Sequence, residues 1–229
     1  MINFNFTGVD GSGFQLKDLT GAGIFGSTNP DEADQVQIWN PQTSGYENWY
    51  YYFDESDHSW DGWYDLITQS SLFEEVHPEG LANGSAAWYL SANGSTGGAA
   101  SIAGAVDSAK TVTFSMTKGN YNMIGNPYPV GLQLDNADQV TWENACGSTN
   151  PDEADQVQIW NPQTSGYENW YYYVDESDHS WDGWYDLITQ SSLFEEVHPN
   201  GLDAGVPVWY LSKAAIGGTF DVTFKTPMK

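Results

Sequence analysis

Gln35-Val36-Gln37-Ile38-Trp39-Asn40 alternates polar with apolar side chains, Asn40-Pro41-Gln42-Thr43-Ser44-Gly45 is a cluster of turn formers, and Tyr46-Glu47-Asn48-Trp49-Tyr50-Tyr51-Tyr52-Phe53 follows. Alternation of period two marks a strand, because successive side chains of extended backbone point to opposite faces. Two such runs around a turn of about five or six residues read as a β-hairpin. In the second run Trp49, Tyr51 and Phe53 share one face, and Tyr50 and Tyr52 share the other. Both faces are aromatic, so this strand is expected to be covered on both sides.

The hairpin occurs twice. Residues 26–78 return as residues 147–199 at a constant offset of 121, and these 53-residue blocks differ only at Phe53 against Val174. Similarity fades beyond them but persists: Trp88-Tyr89-Leu90-Ser91 matches Trp209-Tyr210-Leu211-Ser212, and Phe14-Gln15-Leu16 echoes Leu132-Gln133-Leu134. A repeat of this length is one folded unit used twice. It records either recent ancestry alone or two equivalent surfaces used together, as in arrays and fibres.

Working outward, Asp54-Glu55-Ser56-Asp57-His58-Ser59-Trp60-Asp61-Gly62 is a polar, acidic loop, and residues 63–68, 86–90 and 110–116 read as further strands. Residues 121–129 open the second unit, their prolines confining them to an edge or a strand end. Residues 1–7 are the matching opener. The expected fold is all-β: two tandem small β-sandwich or barrel-like units, the first over residues 1–118 and the second over 119–229.

Composition agrees. The 229 residues include 24 Gly, 14 Tyr, 11 Trp and 10 Phe, the palette of strands and turns. There is no arginine, and the net charge is -25. Nucleic acid is excluded as a partner, since its binding rests on Lys and Arg neutralising phosphates. An anionic membrane surface repels the chain, and no apolar run of 18 residues exists to insert into one. Each copy of the block holds eleven carboxylates, while all six lysines (Lys17, Lys110, Lys118, Lys213, Lys225 and Lys229) lie outside the blocks. A lysine-bearing end meeting an acidic block is therefore electrostatically reasonable. Cys146 is the single cysteine, so no intrachain disulfide forms; it reads as a small buried hydrophobe. The acidic, aromatic, arginine-free composition points to an extracellular or cell-surface location, with any signal peptide absent from this numbering.

The string Tyr121-Asn122-Met123-Ile124-Gly125-Asn126-Pro127-Tyr128-Pro129, followed by Gln158-Ile159-Trp160-Asn161 and Gly166-Tyr167, resembles a β-repeat of large secreted and surface proteins of Bacteroidetes and Verrucomicrobia/Lentisphaerae-type bacteria. In that repeat an Asn-Pro-Tyr-Pro strand precedes an aromatic hairpin, and a Trp-Tyr strand closes the unit. The first unit departs from the pattern, with Asn5-Phe6-Thr7-Gly8 at its opening. The resemblance implies a surface or matrix role and carries over no catalytic residue.

These residue types bear on three kinds of chemistry. Asp54, Asp57 and Asp61, with their copies Asp175, Asp178 and Asp182, cluster hard oxygens of the kind Ca²⁺ takes, although the spacing is not that of an EF-hand and a solvated acidic loop is the plainer reading of these residues. No other cofactor is implied. His58, His77, His179 and His198 lack a second soft ligand nearby in sequence and read as loop hydrogen-bonding groups. Trp39, Trp49, Trp60 and Trp63, with Trp160, Trp170, Trp181 and Trp184, offer rings either for stacking on a glycan or for core and interface packing. No nucleophile elbow, zinc-protease helix or phosphate loop is present, so the chain is not expected to be an enzyme.

The expected function is that of an extracellular structural protein whose main partner is itself. It would assemble head to tail into a filament, sheath or surface layer by terminal-strand addition, through Ile2, Phe4 and Phe6 or through Phe220, Val222 and Phe224. The alternative is a tandem carbohydrate-binding module or adhesin using exposed Trp and Tyr.

Overall fold

A computed structural model describes residues 1–4, 13–20, 23–92, 101–102, 111–142, 144–161, 163–215 and 217–226. The fold is all-β. The first half carries β1 (Ile2–Phe4), β2 (Leu19–Thr20), β3 (Gln35–Asn40), β4 (Gly45–Tyr52), β5 (Gly62–Asp65), β6 (Ser85–Leu90) and β7 (Ser101–Ile102). There follow β8 (Thr111–Thr117), β9 (Tyr121–Gly125), β10 (Val140–Thr141), β11 (Gln156–Asn161), β12 (Gly166–Tyr173), β13 (Gly183–Asp186), β14 (Pro207–Leu211) and β15 (Thr219–Lys225). The α-helices among the described residues are single turns, α1 (Phe73–Val76) and α2 (Phe194–Val197). Neither is long enough to cross a membrane, which says nothing about strands.

The hairpin that decides the fold forms as its alternation requires. β3 pairs with β4 from Gln35 opposite Tyr50 to Asn40 opposite Gly45, and β11 pairs with β12 in the same register. The Asn40 carboxamide accepts from Gln42 N–H at 3.0 Å, an Asx turn that starts the reversal. Ser44 then adopts a left-handed φ of 51°, and Ser165 one of 52°. The third strand stops at Asp65 rather than running to residue 68. The Asp65 carboxylate accepts from the N–H groups of Ile67 and Thr68, bending the chain away from the ladder.

One ten-stranded sheet runs through both halves in the order β13-β12-β11-β14-β9-β6-β3-β4-β5, with β1 beside β6. A smaller layer, β10-β15-β8, covers one face of the second half, and β2-β7 stands at the corresponding place on the first. Two separate cores result. One gathers Val36, Trp49, Trp63, Phe73, Phe4 and Phe14; the other gathers Val157, Trp170, Trp184, Phe194, Tyr210 and Phe220 among its members. The expected sandwich-like units are thus present as cores, but their main sheet is shared.

The joint lies earlier than residue 118. β8 pairs along its whole length with β15, and its Met116 is buried in the second core. Residues 118–120 form the tight turn from β8 to β9, with Gly119 at φ +70°. At the junction β6 and β9 share a single bridge, Ser85 opposite Ile124. Gly84 is required there: its φ is +83°, and a Cβ would meet the Phe114 ring at 2.3 Å.

Candidate binding surfaces

The eight tryptophans of the repeated blocks divide three ways. Trp49, Trp63, Trp170 and Trp184 are core residues, each at most 2% exposed. They lie on the face of the sheet that the smaller layers cover, so they are closed to a glycan. Trp39 and Trp160 lie on the opposite face and pair across the two halves. Trp39 packs edge-on against Trp209 at 5.4 Å, and Trp160 against Trp88 at 6.3 Å. Because Trp160 is the copy of Trp39 and Trp209 the copy of Trp88, these contacts exchange when the halves are swapped. Tyr46 and Tyr167 back the same indoles at 5.0 and 5.1 Å. Trp39 Nε1–H also donates to the Tyr121 carbonyl at 2.7 Å. Trp60 and Trp181, by contrast, stand 64% and 63% exposed on the acidic loops.

A reciprocal contact of this kind is isologous and closes on itself. The terminal strands are also engaged within the chain. Phe4 is fully buried and β1 lies against β6, with Ile2 packed on the first core. Phe220, Val222 and Phe224 are buried in the second core, and β15 pairs with β8 on one edge and with β10 on the other. Alternation correctly marks one face of these strands as apolar, but the partner layer is the chain's own, so they are core strands rather than donated ones. Phe6 lies outside the described residues.

The acidic loops spend their oxygens on the backbone. Asp54 Oδ1 accepts from Ser56 N–H at 2.8 Å and from its hydroxyl at 2.6 Å, and Asp57 caps Ser59 in the same way. Asp61 accepts from Asp54 N–H at 3.2 Å and faces His58 Nδ1 at 3.0 Å. Asp175, Asp178 and Asp182 repeat the pattern around Ser177, Ser180 and His179. The serine hydroxyl and then the serine N–H hold Asp54, Asp57, Asp175 and Asp178 below the usual carboxylate range. Among the described residues no three His, Cys, Asp or Glu side chains are grouped to hold a metal ion. The calcium expectation is corrected accordingly: the carboxylates cap turns instead of converging. His77 and His198 are likewise spent, facing Glu47 and Glu168 at 2.9 Å.

Comparison with protein-family models, with curated proteins and with solved structures finds no match.

The two halves differ behind their acidic loops. In the first half a cavity of about 880 Å³ is lined by Lys17, Leu19, Phe25, Tyr51, Asp61 and Trp63 among others. The matching cavity of the second half is about 270 Å³. There Trp142 packs on Trp184 at 4.9 Å and stacks on Tyr210 at 5.5 Å, its indole N–H donating to the Leu134 carbonyl. Counting from Thr20 and Thr141, the residue at the position of Trp142 in the first half is Gly21. Nothing in the repeated blocks signals this difference, because it sits just before them.

Lys17 of the first half corresponds to Asp135 of the second. The Asp135 carboxylate accepts from Trp184 N–H at 2.6 Å and from Glu195 N–H at 3.3 Å, and burial pushes its pKa up to about 6. Its folded value thus lies above the unfolded one near 3.8, so the native state binds this proton more tightly and stability from this group falls as pH rises from about 4 to about 6. The loss is about 3 kcal/mol by pH 7, from a shift of about two units. Asp135→Asn keeps the acceptor for Trp184 and removes the charge. Its melting temperature relative to the parent is expected to climb between pH 4 and pH 7; a difference flat in pH would refute this assignment.

Proposed function

We propose that the chain is a structural module of an extracellular filament, sheath or surface layer, joined head to tail to its neighbours. The observation that carries this reading is the division of charge along the chain. Each block is acidic without a lysine, while lysines stand on the segments before, between and after the blocks, so like faces repel and unlike segments attract. The resemblance to repeats of bacterial surface proteins points the same way. Ordered polymers are expected in negative-stain micrographs of the concentrated protein, and a monodisperse monomer at every concentration, with and without calcium, would sink the proposal.

A second reading, glycan binding, is favoured by the first-half cavity, where Tyr51 and Phe53 stand near Lys17 and Asp61, and by the exposed Trp60 and Trp181. Aromatic walls with a few polar groups are the usual lining of a small-molecule site. Binding on a glycan array that disappears in the double variant Trp60→Ala, Trp181→Ala would favour it over assembly.

A further inference from the structure

The two blocks differ at one position, and that position lies in the wall of the first-half cavity: Phe53 lines it, and Val174 is its counterpart. The differences just before the blocks fall on the same walls. Phe25, 41% exposed, lines the cavity where the second half has Cys146. Lys17 lines it where the second half has the Asp135 carboxylate. Trp142, which lines the second-half cavity and packs on Trp184, has Gly21 as its counterpart. The framework between these positions is common to both halves. Tyr51, Asp61, Gly62 and Trp63 line one cavity, and Tyr172, Asp182, Gly183 and Trp184 line the other. One framework thus surrounds about 880 Å³ in the first half and about 270 Å³ in the second. A ligand site kept in the first half and filled in by Trp142 in the second accounts for all of these differences together. The larger volume is within the range of small-molecule sites, about 300–1,000 Å³.

The lining defines what such a ligand carries. Phe25, Tyr51 and Phe53 supply rings, and Ser27 and Thr28 supply hydroxyls. Asp54, Glu55 and Asp61 bring three carboxylates against the one ammonium of Lys17. Asp54 is charged at neutral pH, because the Ser56 hydroxyl and N–H hold it below the usual carboxylate range. Glu55 is exposed, and among the described residues its carboxylate makes no hydrogen bond, so it is free to meet a ligand. An anionic ligand is repelled by these groups and by the net charge of -25. A cation gains twice, from the carboxylates and from the negative faces of the rings.

We infer that the first-half cavity binds a glycan through a sugar bearing a free, protonated amine, at one site per chain. This rests on the glycan reading above and names the sugar class. The rings of Phe25 and Phe53 take the apolar face of the sugar, Glu55 and Asp54 take its ammonium group, and Lys17, Ser27 and Thr28 are left for its hydroxyls.

The test is calorimetric titration of the full chain with three probes: a trimer of β-1,4-linked glucosamine, the same trimer N-acetylated, and a trimer of uronic acid. Saturable binding of the amine trimer to one site per chain is expected, with the N-acetylated trimer at least about tenfold weaker and the uronic acid trimer silent. Phe53→Val makes the two blocks identical without changing the charge, and Val174 shows that the framework accepts valine. This variant should bind the amine trimer at least about tenfold more weakly. Glu55→Gln should weaken the amine trimer and leave the N-acetylated one unchanged. Two sites per chain, or full affinity in Phe53→Val, would mean that the amine trimer is held by net charge alone and would overturn the inference. If the N-acetylated trimer binds as tightly as the amine trimer and Phe53→Val weakens both, the glycan reading stands and the amine assignment falls. If none of the trimers binds, both fall.

Discussion

Asp155→Ala is expected to lower the melting temperature by on the order of 10 °C, the largest effect of any single polar substitution in the second half. The Asp155 side chain is fully buried and accepts from the Tyr210 hydroxyl at 2.5 Å, Lys213 N–H at 2.5 Å and Cys146 N–H at 2.8 Å. Its own backbone N–H donates to the Cys146 carbonyl, and its carbonyl accepts from Tyr172 N–H. One residue thus ties the entry of the repeated block to β12 and to the chain leaving β14. Alanine leaves three donors without acceptors in a dry site, and each stranded donor costs about 1–3 kcal/mol. Part of that is recovered as the site relaxes, so about 3–5 kcal/mol is expected in denaturant titrations. Tyr210→Phe should cost only about 1 kcal/mol, because the carboxylate keeps its two N–H donors. Asp34 is the same clamp in the first half, accepting from the Tyr89 hydroxyl, Ala92 N–H and Phe25 N–H. A result in which Asp155→Ala costs no more than Tyr210→Phe would show that the clamp is not needed.

The second large effect concerns the joint between the halves. Trp39→Ala is expected to destabilise the chain by about 2–4 kcal/mol, the range for truncating a partly buried aromatic ring. Trp160→Ala should cost about 1 kcal/mol less, since among the described residues Trp39 alone of the two also donates an indole hydrogen bond across the junction. Asn120 and Gln42 add further cross-links between the β8-β9 turn and the first hairpin, through the Pro41 carbonyl and the Thr117 hydroxyl. Each half has its own core, and the sheet between them narrows to one bridge. With both indoles replaced, calorimetry should therefore resolve two unfolding transitions where the parent shows one. Equal costs for the two single variants, together with a single transition in the double variant, would mean that the indole pairs do not couple the halves.

Much of the local structure was legible. The turn chemistry of Asn40, Pro41 and Gly45 and the alternation on either side predicted the hairpin, and the aromatic residues on both faces of β4 predicted a strand covered twice. Trp49 and Tyr50, adjacent and opposite, are each 2% exposed. The acidic loops were found as loops, but their chemistry was misread. Oxygens that cluster in sequence here turn back onto neighbouring N–H groups, and a list of carboxylates does not reveal which way they point. The Asp34 and Asp155 clamps left no signal at all, because each gathers its donors from chain segments up to 58 residues away.

What the sequence determined by itself is the set of local decisions: which residues extend, where the chain turns, and that two blocks with one sequence take one register. These depend on neighbours a few residues apart, and identical neighbours give identical answers. What only the tertiary structure decided is which layer covers each apolar face. β8 belongs to the second core, the terminal strands pack inward, and Trp39 and Trp160 meet the opposite half. An apolar face states that it must be covered without stating by what, since burial is rewarded by area removed from water and is indifferent to the partner's place in the chain.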